Sequence, residues 1–294
     1  MSESVELPPH GTFPGQVLRV IEPPAASAPM VVASPHSGRC YPPDFIAASR
    51  LSASDLRRSE DSFVEELFAG ATALGIAMLQ AEFPRAFCDV NREAWELDPV
   101  MFADSLPPWC NTASARVSAG FGTIARLVAS GEPIYRDKLR FAEAESRVRT
   151  CWQPYHATLG SLIERTVAAR GACLLLDAHS MPSGAAPARG LAADFVLGDA
   201  FGTSCAAVLT QVAERYLRGR GFRVRRNDPY AGGYVTRHYG RPSRGVHVLQ
   251  IEVCRSLYMD EVRLERLPRF GEIRDVLGGL LGVLLDEVPG VREG

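Results

Sequence analysis

The chain has 294 residues, enough for one large domain or two modest ones with a substantial buried core. A formal net charge of -2 argues against a general nucleic-acid binder, and no apolar run reaches the ~18 residues that a membrane helix needs. Seven cysteines, an odd number without a CxxC pair, read as reduced thiols in a cytoplasmic protein.

Residues 1–27 open with MSESVELPPHGTFPG, which lacks the basic patch and apolar stretch of a secretory signal. They read as an N-terminal arm ahead of a single domain over 28–294. Met30 to Ser34 is a short apolar run, a buried strand that delivers His36 into the loop Ser34-Pro-His-Ser-Gly38. From Leu56 to Leu74, Phe63, Val64, Leu67, Phe68 and Ala71 recur at helical spacing, with Ser54 as the N-cap. Glu60 and Asp61 border that apolar stripe about 100° apart, so only one of them can face a given point.

Ile76 to Phe83 reads as a second strand, followed by Pro84-Arg85 and a segment ending in Asp89-Val-Asn-Arg92. Arg85, Asn91 and Arg92 form a compact set of donors beside a strand end, suited to a carboxylate. Residues 93 to 135 carry Pro, Gly and Ser with little periodicity and read as an excursion over the surface, able to close a site or line a groove. A long helical pattern from Arg136 to Arg170 is interrupted near Pro154. Lys138 is the only lysine, which disfavours Schiff-base chemistry, whereas arginine forks for gripping carboxylates are plentiful.

Ala172 to Ala178 is a buried strand, and the stretch Leu174-Leu-Leu-Asp-Ala-His-Ser-Met181 ends it in an acid, an imidazole and a hydroxyl. Asp194 to Leu197 reads as a strand, Ser204 to Arg218 as a helix, and Phe222 to Arg225 and Gly245 to Val253 as strands. Val262 to Glu287 closes the chain as one or two helices. Six arginines between Arg215 and Arg226 span a helix end, a turn and a strand start, and read as a solvated edge. Gly232 and Gly233 beside Tyr230 and Tyr234 suggest a mobile loop or a bend forced by backbone needs. Strands alternating with helices imply an α/β domain with a largely parallel sheet, whose ligand sits beyond the carboxyl ends of the strands.

His36 and His179 fall at two such ends. Each alone reads as a structural loop histidine; together they suit a catalytic zinc, which takes three protein ligands and keeps a fourth position open. The third ligand is Glu60 or Asp61. Asp177, two before His179, either orients that imidazole or caps a neighbouring helix. In the strand Val246 to Val253, Glu252 shares a face with Val246, Val248 and Gln250. A carboxylate in so apolar a segment is either paired, with Arg255 as partner, or serves as a general base whose pKa burial has raised.

SPHSG at 34–38, the acid pair before FVEELF, FPRAFCDVNRE, LLLDAHSMPS, DFVLGD, YAGGYVTRHYG and HVLQIEVCRSLYMDE resemble the N-formylglutamate amidohydrolase family, in the family's order from about residue 30 to 262. The resemblance implies a zinc-carboxypeptidase-like fold, three layers around a central mixed sheet, and one Zn2+ per chain. Relatives carry a glutamate three residues after the first histidine; this chain has Arg39 there. By resemblance Asp61 becomes the ligand beside His36 and His179, with Glu60 and Asp177 supporting from behind. Asn91-Arg92 is similar to the pair that holds a substrate carboxylate, aided by Arg85 or Arg255, and Glu252 to the general base. The implied partner is a small acidic N-acyl amino acid, hydrolysed at its amide to formate and glutamate in the case of N-formyl-L-glutamate. The rival expectations are an amidase or carboxypeptidase for larger N-acyl or peptide substrates, and a catalytically inactive binding protein on the same fold.

Overall fold

The computed structural model describes residues 13, 15–24, 28–128, 130–185 and 192–289. Its centre is a seven-stranded sheet in the order β1-β3-β2-β4-β7-β5-β6, formed by β1 (Leu18–Ile21), β2 (Met30–Ser34), β3 (Ala77–Ala81), β4 (Cys173–Met181), β5 (Phe195–Gly198), β6 (Val224–Arg226) and β7 (Val246–Cys254). β2, β3, β4 and β7 run parallel, while β1 pairs antiparallel with β3 and β5 antiparallel with β7. The sheet is thus mixed and mostly parallel. The segment read as an arm contributes the edge strand β1; residues 1–12, 14 and 25–27 of it lie outside the described residues.

Alternation along the strands divides the interior in two. Met30, Val32, Leu174, Leu176, Leu249 and Ile251 face one side, under α3 (Val64–Leu67), α7 (Ala207–Gly219) and α9 (Phe270–Glu287). Val31, Ala33, Leu175 and Val248 face the other, under α1 (Pro43–Ala48), α2 (Ala53–Arg57), α6 (Gln153–Arg170) and α8 (Tyr234–Tyr239). The three layers follow from burial on both sheet faces. A smaller third cluster, with Leu97, Met101, Phe102 and Ile124, joins Leu139 and Ala144. The excursion, which includes α4 (Ala115–Ser118), therefore carries its own core, packed against α5 (Phe141–Arg147).

The helix expected from Leu56 to Leu74 is broken. Ser52, not Ser54, caps α2, its hydroxyl accepting from the Asp55 backbone N–H at 3.2 Å. The chain then turns, Phe63 adopts a left-handed φ of 67°, and only α3 and a 3-10 stretch, Ala69–Leu74, remain helical. The cause is tertiary: the Asp61 N–H donates to the His36 carbonyl at 3.0 Å, which holds residues 58–62 against the first loop. Spacing of the apolar residues foretold their burial but not this interruption.

The pattern from Arg136 becomes α5, a π-helical turn at Val148–Trp152, and then α6. Pro154 lies in the first turn of α6, where its missing N–H and ring are tolerated, and the wider turn precedes it. After β7, strands Met259–Asp260 and Glu265–Arg266 make a small hairpin before the single long α9. Among the described residues no helix is long and apolar enough to cross a membrane.

Gly38 closes the first loop against β3. A Cβ there would collide with the Phe83 carbonyl oxygen and lie 2.6 Å from the Glu82 carbonyl carbon. Rigid backbone on one side and the His36 loop on the other leave no room to relax. Gly38→Ala is expected to destabilise the fold by about 1–3 kcal/mol, as overpacking does, read as a lower urea midpoint at unchanged slope.

Candidate active site

Cys173 and Leu175 of β4 and Val248 of β7 pack beneath α6. Two to four residues further along the same faces the cover changes: His179, Gln250 and Glu252 line a cavity of about 300 Å³. The register pairs His179 with Glu252 and Asp177 with Gln250, so the polar ends of two apolar strands meet side by side. This explains why LLLDAHSM finishes in polar groups. β4 outlasts its apolar roof and reaches the site at full strand rigidity.

Asp61 Oδ2 lies 3.0 Å from His179 Nδ1 and 3.4 Å from His36 Nδ1. The candidate ligand atoms of all three residues fall within 4.8 Å of one another. A tetrahedral ion with bonds of about 2.0–2.1 Å holds its ligand atoms about 3.3 Å apart, close to these spacings. His36 Nδ1 is buried without a hydrogen-bond partner among the described residues, an orphan that a metal bond would satisfy.

Each ligand is held from behind. His36 Nε2 hydrogen-bonds Asp89 Oδ1 at 2.8 Å, and His179 Nε2 stands 3.0 Å from Asp177 Oδ1. Asp61 Oδ1 accepts from Arg255 Nη2 and from the Ser180 hydroxyl, both at 3.1 Å, which leaves Oδ2 turned toward the imidazoles. Such backing fixes ring orientation and raises ligand basicity.

The electrostatics call for a cation. Burial opposes ionisation of Asp61, yet the hydrogen bond with His179 and the neighbouring His36 imidazole hold its carboxyl well below the usual range. Burial likewise opposes protonation of His179, but Asp177, Asp61 and Glu252 around it raise the imidazole well above its ordinary value. Carboxylates converging on the two imidazoles favour a positive charge at the point they surround. For Glu252, burial pushes the carboxyl up to about 7, with His179 and Arg85 opposing and Asp61 and Asp177 adding to the rise. Its Oε1 accepts from Gln250 Nε2 at 2.8 Å.

The remaining expectations divide. Asp61 enters the cluster, whereas Glu60 is drawn off by Arg57 Nε and the Ser62 hydroxyl and faces away. Arg255 pairs with Asp61 and not with Glu252, and its other donors reach Ser180 Oγ and the Arg58 carbonyl at 3.1 Å. Its donors are therefore spent on Asp61 and its neighbours. Asn91 is also committed: its Oδ1 accepts from the Val235 N–H at 2.9 Å, and its Nδ2 donates to Asp177 Oδ2 at 3.4 Å. Gly233 is small for the same reason, since a Cβ there would collide with the Asn91 side chain. Arg85 and Arg92 both line the cavity. Arg39 points outward to Glu65 and Glu66.

Asp89 was missed by the sequence reading. It gathers His36, Arg85 at 2.8 Å and the Asn91 N–H at 2.9 Å. An acid between Cys88 and Val90, both buried, carried the same signal as Glu252: a carboxylate in apolar company must be paired or do work.

The family model for N-formylglutamate amidohydrolase matches residues 28–259. The chain belongs to the N-formylglutamate amidohydrolase family. Two N-formylglutamate deformylases are similar to it, that of Pseudomonas aeruginosa at 30% identity, covering 79% of this chain and 83% of the relative, and that of Pseudomonas putida at 28%, covering 79% and 82%. The crystal structure of N-formylglutamate amidohydrolase from Ralstonia eutropha JMP134 superposes with a TM-score of 0.84 at 36% identity, covering 95% of this chain and 99% of that one. A gene product of Agrobacterium tumefaciens at 18% identity and a TM-score of 0.68, covering 93% and 96%, shares the fold.

In this amidohydrolase-family chain, Asp89→Ala removes the acceptor that fixes His36. The expected result is a roughly 10–100-fold weaker metal affinity by competition titration, as lost ligand backing typically costs. Unchanged affinity would show that His36 needs no orienting partner.

Proposed function

We propose that the chain is a zinc-dependent amidohydrolase that cleaves N-formyl-L-glutamate, or a closely similar N-acyl acidic amino acid, to the free acid and amino acid. The observation that carries this reading is the meeting of His36, Asp61 and His179 with Glu252 in one cavity bordered by arginines. Two imidazoles and a carboxylate form a donor set that suits zinc, and the buried, unpartnered His36 Nδ1 fits such an ion. Zinc held by these three residues would polarise the amide carbonyl and lower the pKa of water to about 7.

The protein's own groups do the rest. Glu252 accepts the proton of the attacking water and returns it to the amide nitrogen as the C–N bond breaks, so one carboxylate is base and then acid. Arg85 and Arg92, facing the cavity, hold the substrate's α-carboxylate. Arg255 and Asn91 keep Asp61 and His179 in place. Seven unpaired thiols support a reducing, cytoplasmic setting.

The test pairs metal content of the purified chain with formate release from N-formyl-L-glutamate, before and after chelation. About one zinc per chain and formate release that zinc restores would support the reading. Zinc without formate release would move the substrate to other acyl groups or longer peptides.

A further inference from the structure

Four arginines line the cavity, and three of them already spend some or all of their donors within the protein. Arg255 is committed to Asp61, Arg85 donates to Asp89, and Arg92 donates Nε to the Phe121 carbonyl at 2.9 Å and Nη1 to the Asn91 carbonyl at 2.8 Å. Arg116 differs. It is exposed on α4, at the cavity lining, and its side chain makes no ion pair and no hydrogen bond among the described residues.

Its position is built. Ser114 caps α4, accepting from the Val117 N–H at 3.0 Å, and Val117 is buried below. The Phe121 N–H donates to the Arg116 carbonyl at 2.8 Å, while the Phe121 carbonyl takes the Arg92 guanidinium. Phe121 thereby fixes the Arg116 backbone relative to the Arg92 guanidinium. Glu96 secures the other end of the turn through Ser114, and its carbonyl accepts the Thr123 N–H. The excursion thus has a packed base and carries an unpaired guanidinium at the cavity lining.

Burial, together with Arg85 and Arg116 alongside, pushes the Arg92 guanidinium below its ordinary value, so the like charges sense one another. An anion with two separated carboxylates would relieve that repulsion.

We propose that Arg116 is the specificity residue for the distal carboxylate of the substrate, with Arg85 and Arg92 holding the α-carboxylate. This rests on the proposed amidohydrolase reading and assigns to one residue the preference for a dicarboxylic N-acyl amino acid over a neutral one. A flexible, exposed arginine that stays unpaired until a carboxylate enters discriminates by charge at little cost to the fold.

The test is binding of L-glutamate and L-glutamine to the full chain supplied with zinc, by calorimetry, in the wild type, R116Q and R116K. Glutamine is nearly isosteric with glutamate and lacks only the distal charge. The wild type is expected to favour glutamate by about tenfold or more, R116Q to erase that preference, and R116K to restore part of it. A wild type without preference, or a preference that R116Q leaves intact, overturns the proposal. Formate release from N-formyl-L-glutamate and N-formyl-L-glutamine is measured alongside, with the loss in R116Q expected in KM and not in kcat. An Arg116-dependent binding preference in a chain that deformylates neither compound would support the carboxylate site and defeat the proposed reaction instead.

Discussion

Glu252→Gln is expected to lower kcat by about 10²–10⁴-fold, or about 3–5 kcal/mol of transition-state stabilisation, while the chain keeps its zinc. The substitution preserves shape and the hydrogen bond with Gln250 and removes only the capacity to take a proton. Glu252 lies beside the cluster, at the register partner of His179, but is not among the three converging ligands. Metal content should therefore stay near one per chain as turnover collapses. The measurement is single-turnover formate release with metal analysis on the same sample. Wild-type turnover in the Gln variant would remove Glu252 from the mechanism; loss of metal together with activity would reassign it as a ligand.

The second large effect concerns the ion. His179→Ala should abolish stoichiometric zinc and reduce formate release to background, and chelation of the wild type should do the same reversibly. The structure also gives a stability readout. Asp61 and Asp177 are fully buried, with Glu252 nearly so, and a bound cation offsets their mutual repulsion. A ligand that binds only the folded chain stabilises it by about 2.7 kcal/mol at a free concentration 100 times its Kd. Zinc is therefore expected to raise the Tm by several degrees, and chelator to reverse the rise. In His179→Ala the zinc-dependent shift should vanish. A chelator-resistant wild-type activity, or an equal zinc shift in wild type and variant, would rule out His36, Asp61 and His179 as the catalytic metal site.

The chemistry was legible where it sat on regular elements. β2 and β4 are apolar runs, and a strand that is buried on both faces has few ways to end other than in a loop or at a site. His36 and His179 could thus be placed at strand ends from sequence, and two-residue alternation put Glu252 with Gln250 on one face. Family-specific segments then named the reaction class and chose Asp61 over Glu60. Periodicity alone leaves that choice open, because both acids border the same stripe.

What only the tertiary structure decided lies off the regular elements or depends on two distant segments at once. Asp61 is aimed by a turn that interrupts the expected helix, and that turn exists because its N–H finds the His36 carbonyl. Arg255 and Asn91, each plausible as a substrate group, have their donors taken by Asp61 and by the His179 surroundings. Asp89 collects partners from both sides of the site, and Arg116 reaches the cavity from an excursion whose small core has no periodic signature. The sequence by itself determined the layers, the strand ends and the kinds of residue gathered there, since burial imposes a local period on them. Which hydrogen bond each polar side chain makes depends on what else folds next to it, and that is a property of the assembled chain.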